Sequence, residues 1–281
     1  MNTVEKVNAL AEAFMKNSKY VSIYDNVLEK VADAMKKEGK NTFPRLKGQD
    51  NFDTDMIIKI ELMACSINYC FWYGRSGMYP AEGGSNILYQ VIRENVSTHS
   101  PFINEIEVYN IIRELAIRRF PMIEERKRHL HEARHVFVTK PFIGDRTASD
   151  MVEHLVKGSA GFASDMFLKR AVLFPIQLHR RLGLFEDDMM DLFVPSDYQV
   201  PKVLNEWGAI NYHSSLKSSI DNNVLIPKGS LEECEIRSAT IIACRKLSEL
   251  TGWTPSEIDA WLWLRRKDFN GPHHLTITTD Y

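Results

Sequence analysis

The sequence predicts an all-α protein with two helical lobes. Two observations carry this prediction: apolar residues recur at intervals of three and four along most of the chain, and only two short segments have the composition of strands. Such spacing places apolar side chains on one face of a helix, which packs against its neighbours. We therefore expect about a dozen helices joined by polar loops.

The helical spacing begins close to the first residue and recurs into the last fifty residues. The positions that define it are Val4, Val7, Leu10, Phe14; Val27, Val31, Met35; Met56, Ile57, Ile60, Ala64, Ile67, Phe71; Ile87, Val91; Ile111, Ile112, Leu115; Met151, Leu155; Phe167, Ala171, Val172, Ile176; Val200, Val203, Leu204, Trp207; and Ile236, Ala239, Ala243, Leu247. The two candidates for short extended segments are HVFVTK, residues 135–140, and LTITTDY, residues 275–281.

Stretches rich in glycine, proline and small polar residues mark the loops, at 74–84, 139–150 and 221–230. Composition becomes loop-like near 136–148. This divides the chain into an N-terminal lobe, 1–140, and a C-terminal lobe, 141–281, closely packed as one globular unit. A cleft between lobes is a common place for a ligand.

Composition excludes several classes of protein. The formal net charge of −2 lacks the basic excess of a protein that grips a long duplex. Four cysteines without a CxxC pair indicate neither a disulfide framework nor a structural metal site. With no leader-like segment and no membrane-spanning apolar run, we expect a soluble cytoplasmic protein in a reducing compartment, without metal or cofactor.

The segment 231–250 predicts a helix that is buried nearly all round, yet it contains Glu235 and Arg237. Residues two apart do not face each other on a helix, so each charge needs partners elsewhere. These charges either belong to a structural ion-pair network or hold a polar ligand.

The end of another predicted helix carries Asn68, Phe71 and Trp72. Aromatic planes beside an amide suit a heterocyclic base, but such a cluster is also a common core or helix-end feature. Lys169, next to an apolar stripe, is by itself typical of a snorkelling surface residue. Asp197 is a candidate cap for a helix starting near Val200, and a capping carboxylate is also fixed in place for chemistry.

Taken together, these stretches resemble the queuosine salvage proteins, the queuosine 5′-phosphate N-glycosylase/hydrolase family. The matching segments, in the family's order, are INYCFW (67–72), FPMIEERKRHLHE (120–132), FLKRA (167–171), SDYQVPKVLNEWGAINYHSSL (196–216), GSLEECEIRS (229–238), IDAWLW (258–263) and the terminal PHHLTITTDY. The first fifty residues match weakly. The chain departs from the family pattern at GGSNILYQ and at SATII, where the family has tryptophans near the expected base pocket.

The resemblance implies an all-helical fold related to the helix-hairpin-helix DNA glycosylases. It also implies hydrolysis of the N-glycosidic bond of a free modified nucleotide such as queuosine 5′-phosphate, with no stable nucleic-acid complex. In those glycosylases a helix-borne lysine precedes an aspartate in an Asp-x-x-Val segment, an order that Lys169 and Asp197 follow. Asp197 is thus the expected catalytic carboxylate. Lys169 is expected either to attack the sugar as an amine or, as we favour, to act as an ammonium that binds the 5′-phosphate or orients Asp197.

The resemblance further implies a set of substrate-binding residues. Phe71 and Trp72 would stack on the base, with Asn68 and Glu235 reading its polar edges. Arg237 would fix Glu235 or the phosphate. A cationic side arm on the base would need a carboxylate, from Glu235 or Asp259. The remaining expected contacts are Tyr198 and Trp263.

Two other functions stay open on the sequence. One is a DNA glycosylase/lyase for a damaged purine, suggested by the order of Lys169 and Asp197. The other is a non-catalytic helical binding module, in which Asp197 is only a cap and the charges of the 231–250 helix are only structural.

Overall fold

The computed structural model describes residues 1–41, 52–72, 84–97, 100, 102–137 and 143–281. Within these ranges the fold is all-α, as predicted, and its relation to the helix-hairpin-helix glycosylases stays a prediction. The elements in chain order are α1 (Thr3–Lys16), β1 (Val21–Ile23), α2 (Asp25–Glu38), α3 (Thr54–Ser66), α4 (Gly84–Asn95), α5 (Glu105–Ile117), α6 (Ile123–Phe137), α7 (Ala148–Gly158), α8 (Ala160–Ala163), α9 (Lys169–Leu182), α10 (Gln199–Glu206), β2 (Ile210–Tyr212), α11 (Ser214–Asp221), α12 (Leu231–Thr251) and α13 (Pro255–Leu264).

The chain forms two compact units. Unit 1 comprises Met1–Phe43 and Glu186–Ile277, and unit 2 comprises Pro44–Phe185 and Thr278–Tyr281. This division differs from the predicted lobes of 1–140 and 141–281. The difference arises because α1 and α2 pack against α12, which joins the start of the chain to its C-terminal part.

Helix α12 is the centre of unit 1. Every residue from Glu233 to Cys244 is buried, as its composition predicted. Helices α1, α2, α10 and α13 pack around it. The N-cap Ser230 accepts a hydrogen bond from the backbone N–H of Glu233, and Gly252, with φ of 71°, ends the helix in the left-handed conformation.

A small antiparallel sheet also belongs to unit 1. Its register pairs Val21 with Tyr212 and Ile23 with Ile210. These strands were not predicted, since three residues are too few to establish an alternating pattern. Of the two predicted extended segments, residues 135–137 instead end α6 and residues 138–140 lie outside the described ranges. In the other, Leu275 forms an isolated bridge with Leu225.

Unit 2 is built around α3, which packs against α4, α6 and α9. Its Lys59 is fully buried, and the Nζ atom lies 2.6 Å from Oε1 of Glu107 and 3.0 Å from the carbonyl oxygen of Ser100. The C-terminal residues join this unit, because the N–H of Cys70 donates to the carbonyl oxygen of Tyr281 at 2.8 Å.

His129 of α6 is buried in unit 2 beside cationic side chains. Its Nδ1 lies 3.5 Å from Nη1 of Arg170, and its ring meets the ring of Tyr69 edge-on at 5.5 Å. Burial, followed by the charge of Arg170, lowers the pKa of His129 to about 3. The folded protein therefore keeps this imidazole neutral, while the unfolded chain protonates it below its usual pKa of 6.5.

We expect this difference to make the protein less stable in acid. The free energy of unfolding should fall as the pH drops from about 6.5 towards 3, because only the unfolded chain takes up the proton of His129 in that range. In His129→Gln the fall should be shallower. Urea unfolding at a series of pH values measures it. His135→Gln, at an exposed position of α6, should keep the wild-type dependence, and identical curves for His129→Gln and wild type would contradict the argument.

Candidate functional site

Asp197 lies in unit 1, two residues before the start of α10. Its Oδ1 accepts hydrogen bonds from the backbone N–H groups of Gln199, at 2.7 Å, and Val200, at 3.1 Å. The carboxylate thus satisfies the first two N–H groups of α10, as predicted for a cap, although the N-cap position itself is Tyr198. Among the described residues no hydrogen bond to Oδ2 is present. One oxygen is thus fixed by the backbone, and the half-buried side chain still reaches solvent.

Arg237 holds the residue that precedes Asp197. From its buried place on α12, Nε donates to the carbonyl oxygen of Ser196 at 3.2 Å, and Nη1 lies 3.4 Å from Oε1 of Glu233, one turn earlier. The sequence predicted that Arg237 would fix Glu235 or a phosphate. That role stays a prediction, and these contacts with Ser196 and Glu233 hold the segment that carries Asp197.

Glu235 has a structural role in unit 1. Its carboxylate accepts hydrogen bonds from the Ser18 hydroxyl, at 2.5 Å, and from the backbone N–H groups of residues 19–21, at 2.7 to 3.2 Å. These contacts satisfy a fully buried carboxylate and correspond to the structural alternative that the sequence left open. We therefore leave Glu235 out of the candidate site.

His273 is a residue that the sequence reasoning missed. Its ring lies 4.5 Å from the ring of Tyr198, and its Nδ1 lies 2.8 Å from the carbonyl oxygen of His274, so Nδ1 carries the proton of the neutral ring. Burial lowers the pKa of His273, although the charge of Asp197 opposes this. The available signal was the PHH of the terminal segment, which alone does not distinguish a site residue from a buried one.

Asp259 and Trp263 lie one turn apart on α13. Asp259 is buried. The pKa of Cys244 on α12 is raised first by the burial of that thiol and second by the charge of Asp259. The guanidinium of Arg266 lies 3.2 Å from the ring centroid of Trp263. The substrate contacts expected of Asp259, Trp263 and Tyr198 stay predictions.

Lys169 is the first residue of α9 in unit 2 and is only 4% exposed. The interpretation of this residue as a snorkelling surface lysine is therefore wrong. Its Nζ donates to two oxygens of Asn68, the backbone carbonyl at 3.0 Å and Oδ1 at 2.8 Å. Its backbone N–H donates to Oδ2 of Asp165 at 2.8 Å, which fixes the start of the helix.

Phe71 and Trp72 are buried in the same unit. The ring of Phe71 meets that of Phe120 edge-on at 6.2 Å, and the guanidinium of Arg126 lies 5.5 Å from its centroid. This is the packing expected of core aromatic residues, so stacking of Phe71 and Trp72 on a base stays a prediction.

The structure brings together Lys169 with Asn68 in unit 2, and Asp197 with Tyr198 and the arginine-held Ser196 in unit 1. In the described part of the chain, no group of three or more His, Cys, Asp or Glu side chains is arranged to hold a metal ion. None of the helices that the structure describes is both long enough and apolar enough for a membrane span.

Comparison with known proteins identifies the family. The family described as "Queuosine salvage protein" matches residues 49–279. The chain belongs to this family. A queuosine 5′-phosphate N-glycosylase/hydrolase from Dictyostelium discoideum is 31% identical over 272 residues, covering 84% of this chain and 82% of the relative. A protein of the same name from Sphaerobacter thermophilus is 26% identical over 260 residues, covering 78% of this chain and 80% of the relative.

The match to the queuosine salvage family begins at residue 49, yet residues before it form hydrogen bonds with the matched part. The contacts of Glu235 with residues 18–21 join the two. All ten site residues that were predicted from the sequence, Glu235 included, fall inside the matched range.

We expect Glu235→Gln to lose stability. The substitution replaces a carboxylate oxygen with an NH₂ group that faces backbone N–H donors, so buried donors lose their acceptor. The free energy of unfolding should fall by about 2 kcal/mol. Urea unfolding measures this loss, with the exposed Glu249→Gln of the same helix as the control, expected within about 0.5 kcal/mol of wild type. A Glu235→Gln variant as stable as wild type would contradict the structural role that we assign to Glu235.

Proposed function

We propose that this chain is an N-glycoside hydrolase that releases a modified 7-deazaguanine base, queuine or a relative, from its 5′-nucleotide for base salvage. Membership of the queuosine salvage family supports the proposal. The structural observation that carries it is the carboxylate of Asp197, which is anchored through one oxygen at the start of α10.

The reaction requires a carboxylate beside the sugar. As the bond between C1′ and the base nitrogen breaks, its electron pair leaves with the base and positive charge develops on C1′ and O4′. Water then bonds to C1′ and loses a proton, while the departing base gains one. A carboxylate about 3 Å from C1′ stabilises the cation and can accept the proton of the water.

Asp197 suits this role because the two backbone N–H groups that bind Oδ1 favour a charged acceptor and set the orientation of the side chain. Arg237 adds to this by holding the carbonyl oxygen of Ser196. The orientation of the carboxylate is therefore set without a bound substrate, and preorganisation of this kind is the condition under which electrostatic stabilisation is most effective.

Lys169 is the second residue to which we assign a role. As an ammonium it would bind the anionic 5′-phosphate, for which a compact, strongly charged group is well suited. Its donation to two oxygens of Asn68 is consistent with the charged form. A hydrolase takes its nucleophile from water, so the amine need not attack the sugar.

The substrate class is tested by incubating the protein with queuosine 5′-phosphate, with the free nucleoside and with guanosine 5′-phosphate. We expect chromatography with mass detection to find free base from the first of these and none from the last. Queuosine 5′-phosphate left intact at high enzyme concentration would exclude the proposed function. Because the net charge is −2, we expect no stable complex with nucleic acid.

For Asp197→Asn we expect base release to fall by roughly 100- to 1,000-fold, because the negative charge that stabilises the oxocarbenium ion is lost. The thermal unfolding midpoint should stay close to wild type, since the Asn oxygen can accept the same two hydrogen bonds. Asp221→Asn, at an exposed position of α11, is the control and should keep full activity.

Two other outcomes would point to the alternative functions. Near-wild-type release of base by Asp197→Asn would contradict the mechanism. A wild-type protein without activity, together with a loss of stability in Asp197→Asn, would indicate a binding module. A covalent protein–DNA adduct after borohydride treatment would indicate a glycosylase/lyase that uses Lys169 as nucleophile.

A further inference from the structure

Four consecutive backbone carbonyls in unit 2 each accept a hydrogen bond from a buried cation. They belong to residues 66–69, where α3 ends. Arg170 donates to the first, Arg126 to the second and, at 2.6 Å, to the fourth, and Lys169 to the third at 3.0 Å. Ser66 is the last residue of α3 and Ile67 is its C-cap. Carbonyls at a helix end lack partners within the helix and carry partial negative charge, so these two are good acceptors for cations.

The two arginines are committed to this segment. Arg126 also donates through Nε to the carbonyl oxygen of Pro121 at 2.8 Å, and Arg170 donates to that of Gly161. Their guanidinium groups lie 4.4 and 5.1 Å from the ring centroid of Tyr69. Carbonyl oxygens and an aromatic face thus stabilise both charges away from water.

The backbone beside Asn68 and Lys169 is strained in both segments. Cys70 has φ of 45° and Leu168 has φ of 52°, in the left-handed region that residues with side chains seldom adopt. The surrounding contacts hold these conformations, among them the bonds from the N–H groups of Phe167 and Lys169 to Asp165. Strain of this kind persists only where neighbouring structure enforces it, and it is concentrated at functional sites.

We propose that Asn68 is the residue that positions the Lys169 ammonium for an anionic phosphate ester, with Arg126 and Arg170 holding Asn68 in place. This inference rests on the proposed function, which gives Lys169 a substrate to bind. It differs from the expectation that Asn68 reads the edges of the base. Asn68 uses both its backbone and side-chain oxygens on one ammonium, an arrangement that fixes the direction of the charge.

The decisive variant is Asn68→Ala, which removes Oδ1 and keeps the backbone carbonyl. We expect kcat/KM for the 5′-nucleotide to fall by roughly tenfold or more, the effect of one charge-assisted hydrogen bond. For the free nucleoside we expect kcat/KM to change by less than about threefold, because this substrate has no phosphate for Lys169 to bind. Thermal unfolding shows whether the variant is folded.

A second readout does not depend on catalysis. Trace acetylation of the folded protein with acetic anhydride, followed by mass spectrometry, gives the reactivity of Lys169 relative to Lys217, an exposed lysine of α11. In Asn68→Ala we expect the relative reactivity of Lys169 to rise by several-fold, roughly in line with one lost hydrogen bond. Asn68→Asp, which keeps an acceptor, should show reactivity at or below that of wild type.

The inference is overturned if Lys169 in Asn68→Ala reacts as in wild type, or if that variant changes the preference among bases and not the dependence on the phosphate. A wild-type protein that hydrolyses none of the substrates would refute the proposed function, and the acetylation result would still decide the role of Asn68. Arg170→Lys provides a supporting test: if it folds, Lys169 should again become more reactive.

Discussion

The hydrogen bonds from buried cations to the carbonyls of residues 66–69 are the constraint on which the rest of unit 2 depends. Burying a guanidinium without acceptors would cost too much free energy. Arg126 and Arg170 can therefore be buried only while the backbone of residues 66–69 keeps the conformation that presents these carbonyls. The segment, in turn, keeps this conformation because the buried cations donate hydrogen bonds to its carbonyls. The conformation of Asn68 and the place of Lys169 follow from this mutual requirement.

Unit 1 uses the same principle with charges of both signs. On α12, Glu235 accepts hydrogen bonds from the backbone N–H groups of residues 19–21, and Arg237 donates one to the carbonyl oxygen of Ser196. Each buried charge replaces lost hydration with backbone groups that would otherwise need partners of their own. A central helix that is buried from Glu233 to Cys244 can therefore still orient two loops, one of which carries Asp197.

The sequence predicted what depends on local spacing and missed what depends on distant partners. The helices follow from apolar periodicity, and the cap at Asp197 from residues two and three positions away. The partners of Lys169 and Glu235 lie 101 and more than 200 residues away, so the neighbouring sequence does not identify them, although it did predict that the helix of Glu235 is buried. The strands β1 and β2 were missed because a three-residue strand is specified by its pairing rather than by its own composition.

The choice of cation at each position follows from the acceptors it serves. Arg126 donates to three carbonyls on two segments of chain, which a planar group with five N–H donors can reach from one place. Lys169 serves two oxygens of a single residue, and a compact ammonium does so with its charge concentrated on one atom. The guanidinium of Arg126, which spreads its charge over a rigid plane, thus maintains the fold. The ammonium of Lys169, with its charge on one atom, is the group that we assign to phosphate binding. An arginine at 169 would spread that charge and demand acceptors that Asn68 alone cannot supply.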